Sequence, residues 1–251
     1  MDRGLTVDGL GFSYSGREWV LRDVCLTAAP GEAVAVIGPS GAGKSTLFRS
    51  LARLARPSAG RVLLDGADLY AAERARGFKG AIGYVHQQHG LPTTISGAMA
   101  VIGGEMHAWG PAKVIASVLL GPTGAELERV AEVLGRVGLE GREHDRIGEL
   151  SVGQRQRVAV ARTLLQSPRL IIADEPVASV DPATADIILG LLAAEAQRGA
   201  IVLCSVHDVE KARRHFPRIV ALRDGQVCFD GAQDTLSEEI VGQVYGSGRA
   251  A

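Results

Sequence analysis

A glycine-rich run between two apolar segments constrains this chain more than any other feature. Residues 38–46 read Gly-Pro-Ser-Gly-Ala-Gly-Lys-Ser-Thr and fit the pattern G-x-x-x-x-G-K-[ST]. The apolar residues 32–37 before the run predict a buried strand, and the leucine spacing within residues 45–56 predicts a helix after it. A strand, a glycine loop and a helix in this order predict a phosphate-binding loop in an α/β fold.

The glycines of this run allow successive backbone N–H groups to point at an anion. A helix that starts at Lys44 adds its positive end. Lys44 is expected to reach the β- and γ-phosphates, and the Ser45 hydroxyl to bind Mg²⁺. The alternative is a glycine-rich turn that fits by chance, which the flanking segments disfavour. The predicted nucleotide ligands are Gly38, Pro39, Ser40, Gly41, Ala42, Gly43, Lys44, Ser45 and Thr46.

Two adjacent carboxylates follow the apolar run 170–173, which predicts another buried strand. Asp174 is placed to hold Mg²⁺ through water. Glu175 is placed to orient or deprotonate an attacking water. An acidic pair that only caps a strand is the alternative, and the upstream phosphate loop disfavours it.

The rest of the chain alternates short strands and helices. Strands are predicted at 5–14, 19–28, 61–64, 82–85, 201–205, 219–222 and 226–229. The alanine- and glycine-rich residues 92–162 predict a helical subdomain inserted into one domain, 1–251. The core of that domain then covers about 1–91 and 163–251.

Composition excludes several classes of protein. The formal net charge is −1 and no basic run occurs, so nucleic acid is not an expected partner. No stretch of about 20 uninterrupted apolar residues predicts a membrane span. Asp2 and Arg3 are not followed by the apolar block of a signal peptide. The three cysteines are far apart and are predicted to be buried thiols.

Residues 150–154 read Leu-Ser-Val-Gly-Gln and resemble the signature loop of the ATP-binding cassette (ABC) family. The ordered motifs extend this resemblance over essentially the whole chain. It implies a P-loop NTPase (RecA-like) core with a mainly parallel sheet, an N-terminal antiparallel β layer and an inserted α-helical subdomain. It also implies an ATP hydrolase that drives transport.

In that family, the signature loop of one subunit closes over the γ-phosphate bound by another. The resemblance gives this role to Ser151, Gly153 and Gln154, and places the loop that contains Asp181 beside the partner's site. Ser151 also fits an ordinary helix N-cap. Val152 stands where the family usually has glycine, and a β-branched residue tolerates positive φ poorly, so the loop geometry is expected to differ.

The resemblance assigns three further roles. His207 would contact the γ-phosphate, although a lone histidine is more often structural. Gln87 would touch Mg²⁺ and the attacking water, with Gln88 as its rival. Tyr14 would stack on adenine, with a core tyrosine as the alternative.

Residues 173–182 read Ala-Asp-Glu-Pro-Val-Ala-Ser-Val-Asp-Pro and resemble the segment found in ATPases of phosphonate importers. The implied partners are a second copy, a membrane permease near Gln87 and residues 92–120, and an extracytoplasmic substrate-binding protein. The implied location is the cytoplasmic face of the membrane. The alternatives are import or export of another substrate, a soluble cassette ATPase of DNA repair or translation, and a small-molecule phosphotransferase.

Overall fold

Two β-sheets organise the protein in a computed structural model, which describes residues 3–71, 77–78, 80–86, 90–178 and 180–246. The strands are β1 (Leu5–Phe12), β2 (Leu21–Ala28), β3 (Ala33–Ile37), β4 (Ala59–Leu64), β5 (Ala67–Asp68), β6 (Ile82–Val85), β7 (Leu170–Ala173), β8 (Ile201–Ser205), β9 (Arg218–Arg223) and β10 (Gln226–Ala232).

The smaller sheet is antiparallel with strand order β2-β1-β4-β5. The larger sheet has the order β10-β9-β3-β8-β7-β6, and all its neighbours are parallel except β9 and β10. This arrangement confirms the predicted α/β fold with a mainly parallel sheet and an N-terminal antiparallel layer.

The helices are α1 (Lys44–Leu51), α2 (Gly97–Ile102), α3 (Pro111–Leu120), α4 (Gly124–Arg136), α5 (Val152–Leu165), α6 (Pro182–Gln197), α7 (Val209–His215) and α8 (Glu238–Tyr245). Helices α2 to α5 lie between β6 and β7 in the chain, where the sequence predicts a helical insertion. Helix α5 crosses the predicted boundary at 162. Within the described ranges, no helix has the length and apolarity needed to cross a membrane.

The larger sheet is buried on both faces. In β3, Val34 and Val36 pack with α1 and the antiparallel sheet, whereas Ala35 and Ile37 pack with the helices on the other side. Successive side chains of a strand point to opposite faces, so a strand covered on both faces reads as a continuous apolar run. This explains why the core strands show no polar alternation in the sequence.

The parallel pairing brings the ends of several strands to one edge of the sheet. The register aligns Val36 with Ser205, and it aligns Ala173 with both Cys204 and Val85. The segments that follow β3, β6, β7 and β8 therefore leave the sheet side by side. The phosphate loop and the acidic pair are two of these segments.

Three local predictions are wrong. Helix α1 ends at Leu51 instead of residue 56, because Arg53 adopts φ = 62° in the left-handed region, and Leu54 is exposed. The strand predicted at 5–14 ends at Phe12, and the strand predicted at 19–28 begins at Leu21.

The third error concerns the cysteines: Cys204 is buried, but Cys25 and Cys228 are exposed. Both exposed thiols lie on outward-facing positions of alternating strands, β2 and β10. In addition, helix α8 was not predicted from the sequence.

Candidate active site

The phosphate loop connects β3 to α1 through glycines with left-handed backbone. Gly38 has φ = 146° and Gly43 has φ = 102°. A Cβ on Gly38 would lie 2.1 Å from the Leu222 carbonyl oxygen, and a Cβ on Gly43 would lie 2.6 Å from the Leu21 side chain. Neither position can hold a larger residue without moving its neighbours, so the turn requires glycine at both.

Lys44 is buried at the start of α1. Its Nζ donates hydrogen bonds to the carbonyl oxygens of Gly38 at 2.7 Å and Pro39 at 3.1 Å. Burial lowers the pKa of Lys44, and the negative charges of Glu175 and Asp174 oppose that shift. The ammonium is thus held inside the loop by neutral carbonyls, which phosphate oxygens can replace.

Asp174 accepts hydrogen bonds from three hydroxyls. Its Oδ1 accepts from Ser45 Oγ and from Ser205 Oγ, each at 3.1 Å, and its Oδ2 accepts from the Tyr84 hydroxyl at 3.0 Å. Burial raises the pKa of Tyr84, and the Asp174 charge adds to the shift. The carboxylate is therefore fixed by groups from α1, β6 and β8.

The neighbouring oxygens of Ser45 and Asp174 fit Mg²⁺, which prefers hard oxygen ligands and keeps several waters. In the part of the chain that the structure describes, no group of three or more His, Cys, Asp or Glu side chains could hold a metal ion. A hydroxyl and one carboxylate would be the protein's ligands, as expected for an ion that nucleotide phosphates also bind.

Glu175 adopts φ = 50°, which is unusual for a residue with a side chain. Its N–H donates to Ser205 Oγ at 2.7 Å, and its Oε1 lies 2.6 Å from His207 Nε2. Such a conformation costs of order 1 kcal/mol or more for a residue with a side chain. The structure thus brings together the predicted base and the predicted histidine.

Sequence reasoning missed Tyr84 and Ser205. Both are polar residues inside otherwise apolar strands, β6 and β8, and these strands flank β7 in the sheet. The sequence signal for both residues was a hydroxyl in an apolar strand, since β6 and β8 lie beside the strand that leads to Asp174.

Tyr14 lies in the loop between β1 and β2 and is 67% exposed. Its hydroxyl is 3.3 Å from Thr46 Oγ1, and its ring meets Phe12 edge-on at a centroid distance of 4.8 Å. The contact with Thr46 brings the ring to the phosphate loop, and its exposure leaves room for a stacked base. The alternative of a buried core tyrosine does not fit this exposure.

The signature residues form a closed N-terminal turn of α5. Ser151 Oγ accepts from the Gln154 N–H at 3.2 Å, and Gln154 Oε1 accepts from the Ser151 N–H at 2.8 Å. Val152 is the first helical residue and does not have positive φ, so the expected strain at this position is wrong. In the described ranges, no hydrogen bond or ion pair joins this turn to the phosphate loop.

Asp181 caps helix α6 and accepts from the Thr184 N–H at 3.0 Å, which lowers the pKa of Asp181. A Cβ on Gly153 would lie 3.1 Å from Thr184 Cγ2, so the turn of α5 faces this cap closely. The predicted residues Gln87, its rival Gln88 and Ser179 lie outside the described residues. The rings of His86 and Tyr84 are tilted by 54° to each other, with their centroids 4.3 Å apart.

Comparison with known proteins agrees with this geometry. The model of the ABC transporter family matches residues 21–178. The phosphonates import ATP-binding protein PhnC 1 of Cupriavidus necator is 39% identical over 248 residues, which cover 98% of this chain and 88% of that protein.

Solved structures show the same fold. The structure of cbiO1 from Clostridium perfringens, part of the ABC transporter complex cbiONQ, has a TM-score of 0.80 and 27% identity, with 97% of this chain and 94% of that chain covered. A dimeric ATP-binding cassette bound to ADP and Pi has a TM-score of 0.78 and 30% identity, with 91% and 98% covered. The chain belongs to the ABC transporter family as an ATP-binding cassette that hydrolyses ATP.

Proposed function

We propose that this cassette powers the import of a phosphonate, or of a related phosphorus oxyanion, through a separate membrane permease. The observation that carries the chemistry is the contact of Glu175 with His207 beside Asp174. The support for the substrate is the likeness to the phosphonates import protein over nearly the whole chain and the segment 173–182.

In the proposed site, Lys44 leaves the carbonyls of Gly38 and Pro39 and bonds to the β- and γ-phosphates of ATP. Ser45 and Asp174 would hold Mg²⁺, which would supply positive charge to neutralise the phosphates. Glu175 orients the attacking water and accepts its proton, and His207 steadies the γ-phosphate. Gln87 would complete the contacts to the water. Tyr14 stacks on adenine.

The second half of each site is proposed to come from another copy. Ser151 and the Gly153 N–H would face the γ-phosphate at the positive end of α5. The loop before α6, with Asp181, would border the same site. The dimeric relative bound to ADP and Pi supports this arrangement. In this view, residues 92–162 act as a helical subdomain that carries the signature turn against the core, about 1–91 and 163–251.

Helix α3 supports the permease contact. Its side chains Ile115, Val118, Leu119 and Leu120 are 59–86% exposed and form an apolar surface. Beside this surface, the ammonium of Lys113 lies 4.0 Å from the centre of the Trp109 ring. An exposed apolar patch on a monomer marks an interaction site. We assign it to the cytoplasmic side of the permease, which places the protein at the inner membrane face. An extracytoplasmic binding protein would deliver the substrate.

The test is affinity capture of the full chain from detergent-solubilised host membranes, followed by mass spectrometry. We expect a multi-span membrane protein in the wild-type capture and at least a fivefold loss of it with Ile115→Glu. Leu54→Glu is the matched control, because Leu54 and Ile115 are both 59% exposed. Recovery of soluble partners alone would contradict transport.

Calorimetry of the co-captured binding protein then separates the substrates. The binding protein is titrated with a phosphonate, with phosphite and with phosphate. Tightest binding of the phosphonate supports the proposal, and tightest binding of phosphite or phosphate identifies that oxyanion as the substrate. Binding of none of the three overturns the substrate assignment and leaves the ATPase intact.

A further inference from the structure

We propose that Tyr245, the last residue of helix α8, is a positioning residue that fixes the entrance of the phosphate loop. The inference rests on the nucleotide site described above and does not depend on the transported substrate. Sequence motifs assign no part of this site to the C-terminal helix.

The contact is direct. The Gly38 N–H donates a hydrogen bond to the Tyr245 hydroxyl oxygen at 3.2 Å, between residues 207 positions apart. Strand β3 ends one residue earlier, at Ile37, so the sheet ladder does not supply an acceptor for this N–H. A buried N–H without an acceptor is costly, and Tyr245 removes that cost.

Gly38 is held on three sides. Its N–H bonds to Tyr245, its Cα lies against the Leu222 carbonyl of β9, and its carbonyl accepts from Lys44 Nζ. When Lys44 turns to phosphate, the third contact is lost. Tyr245 and β9 then keep the first residue of the loop in place, so the N–H groups that follow stay aimed at the phosphates.

Helix α8 is anchored well enough to act as a support. Val241 and Val244 are buried in the main core, and the Ser237 hydroxyl caps the helix by accepting from the Ile240 N–H at 3.3 Å. The Arg223 guanidinium at the end of β9 donates to the Gln243 carbonyl. The same strand therefore contacts both Gly38 and the last turn of α8.

The test is Tyr245→Phe in the full chain, which keeps the ring and removes the acceptor. Loss of one hydrogen bond corresponds to about a three- to tenfold rise in KM for ATP, and in the Kd of a fluorescent ATP analogue. We expect kcat to stay within about twofold, because no hydrogen bond joins Tyr245 to Glu175 or His207 among the described residues.

Tyr70→Phe is the matched control. The Tyr70 hydroxyl donates to the carbonyls of Ser50 and Ala55, and Tyr70 is also partly buried, but its hydroxyl does not contact the phosphate loop. Tyr70→Phe should lower the free energy of unfolding without raising the KM for ATP. Equal shifts of KM in both variants, or none in Tyr245→Phe, would overturn the proposal.

Amide exchange measured by NMR tests the same contact without a nucleotide. In the wild type, the Gly38 N–H should be protected, and Tyr245→Phe should speed its exchange at least tenfold while leaving Val36 unchanged. Fast exchange at Gly38 in the wild type would sink the proposal even if the variant failed to fold.

Discussion

On the phosphate-loop side of the protein, polar groups from α1, β6, β8 and the end of β7 bond to one another. On the signature side, the side chains of Ser151 and Gln154 each accept a hydrogen bond from the other residue's backbone N–H. The Asp174 carboxylate by itself accepts hydrogen bonds from hydroxyls on three elements, α1, β6 and β8. The first region is assembled within one chain, whereas the second is a capped helix end with no hydrogen bond or ion pair to the phosphate loop among the described residues.

This difference teaches which parts of the chemistry one copy can perform. Binding of phosphate is proposed to need the loop and Lys44, and a single chain contains both. Hydrolysis in the proposed sandwich also needs the signature turn of another copy. Variants on the two sides should therefore fail differently, and the three below are ordered by the size of the effect.

Lys44→Ala should have the largest effect, because it loses nucleotide binding as well as hydrolysis. Removing the ammonium takes away the buried positive charge of the loop, so nucleotide affinity should fall about a hundredfold or more, and hydrolysis with it. The affinity for a fluorescent ATP analogue measures the loss of binding, and the rate of phosphate release measures the loss of hydrolysis. Lys113→Ala is the control, since Lys113 pairs with Glu126 on α4 and does not contact the loop. Full activity of Lys44→Ala would contradict the phosphate-loop assignment.

Glu175→Gln should keep nucleotide binding and lose about 10²- to 10⁴-fold in hydrolysis, because the amide cannot take a proton. The unhydrolysed ATP should then hold two copies together, and the mass on size exclusion should double when ATP and Mg²⁺ are added. A variant that stays monomeric while the wild type hydrolyses ATP would break the link between the two regions.

Ser151→Ala should have the smallest effect of the three, with hydrolysis reduced about a hundredfold and ATP binding by the single chain unchanged. Ser96→Ala is the control, because the Ser96 hydroxyl caps α2 through the same 3.2 Å bond from an N–H. The loss of a cap alone costs about 1 kcal/mol in both variants.

Mixing the Ser151→Ala protein with the Lys44→Ala protein tests whether the phosphate loop of one copy works with the signature turn of another. A mixed dimer has one site with an intact phosphate loop and an intact signature turn, so activity should exceed that of either variant alone. Strict additivity of the two residual activities would mean that the two regions do not meet across copies.

The sequence predicted the elements that carry local patterns. The apolar run 170–173 and the glycine pattern at 38–45 place Asp174 and Lys44 correctly, since strand burial and glycine turns are local properties. It did not predict Tyr84, Ser205 or Tyr245, because their partners come from distant parts of the chain. The Glu175 backbone also could not be predicted, since φ = 50° reflects tertiary restraint instead of residue preference.

The left-handed backbone of Glu175 has a consequence for laboratory evolution. A glycine at this position would relieve the local strain, so selection for thermal stability alone would favour losing the carboxylate. A substitution that removes turnover would then be among the more tolerable ones for folding. Screens of this protein for robustness need an ATPase readout beside the melting temperature, or they will enrich inactive molecules.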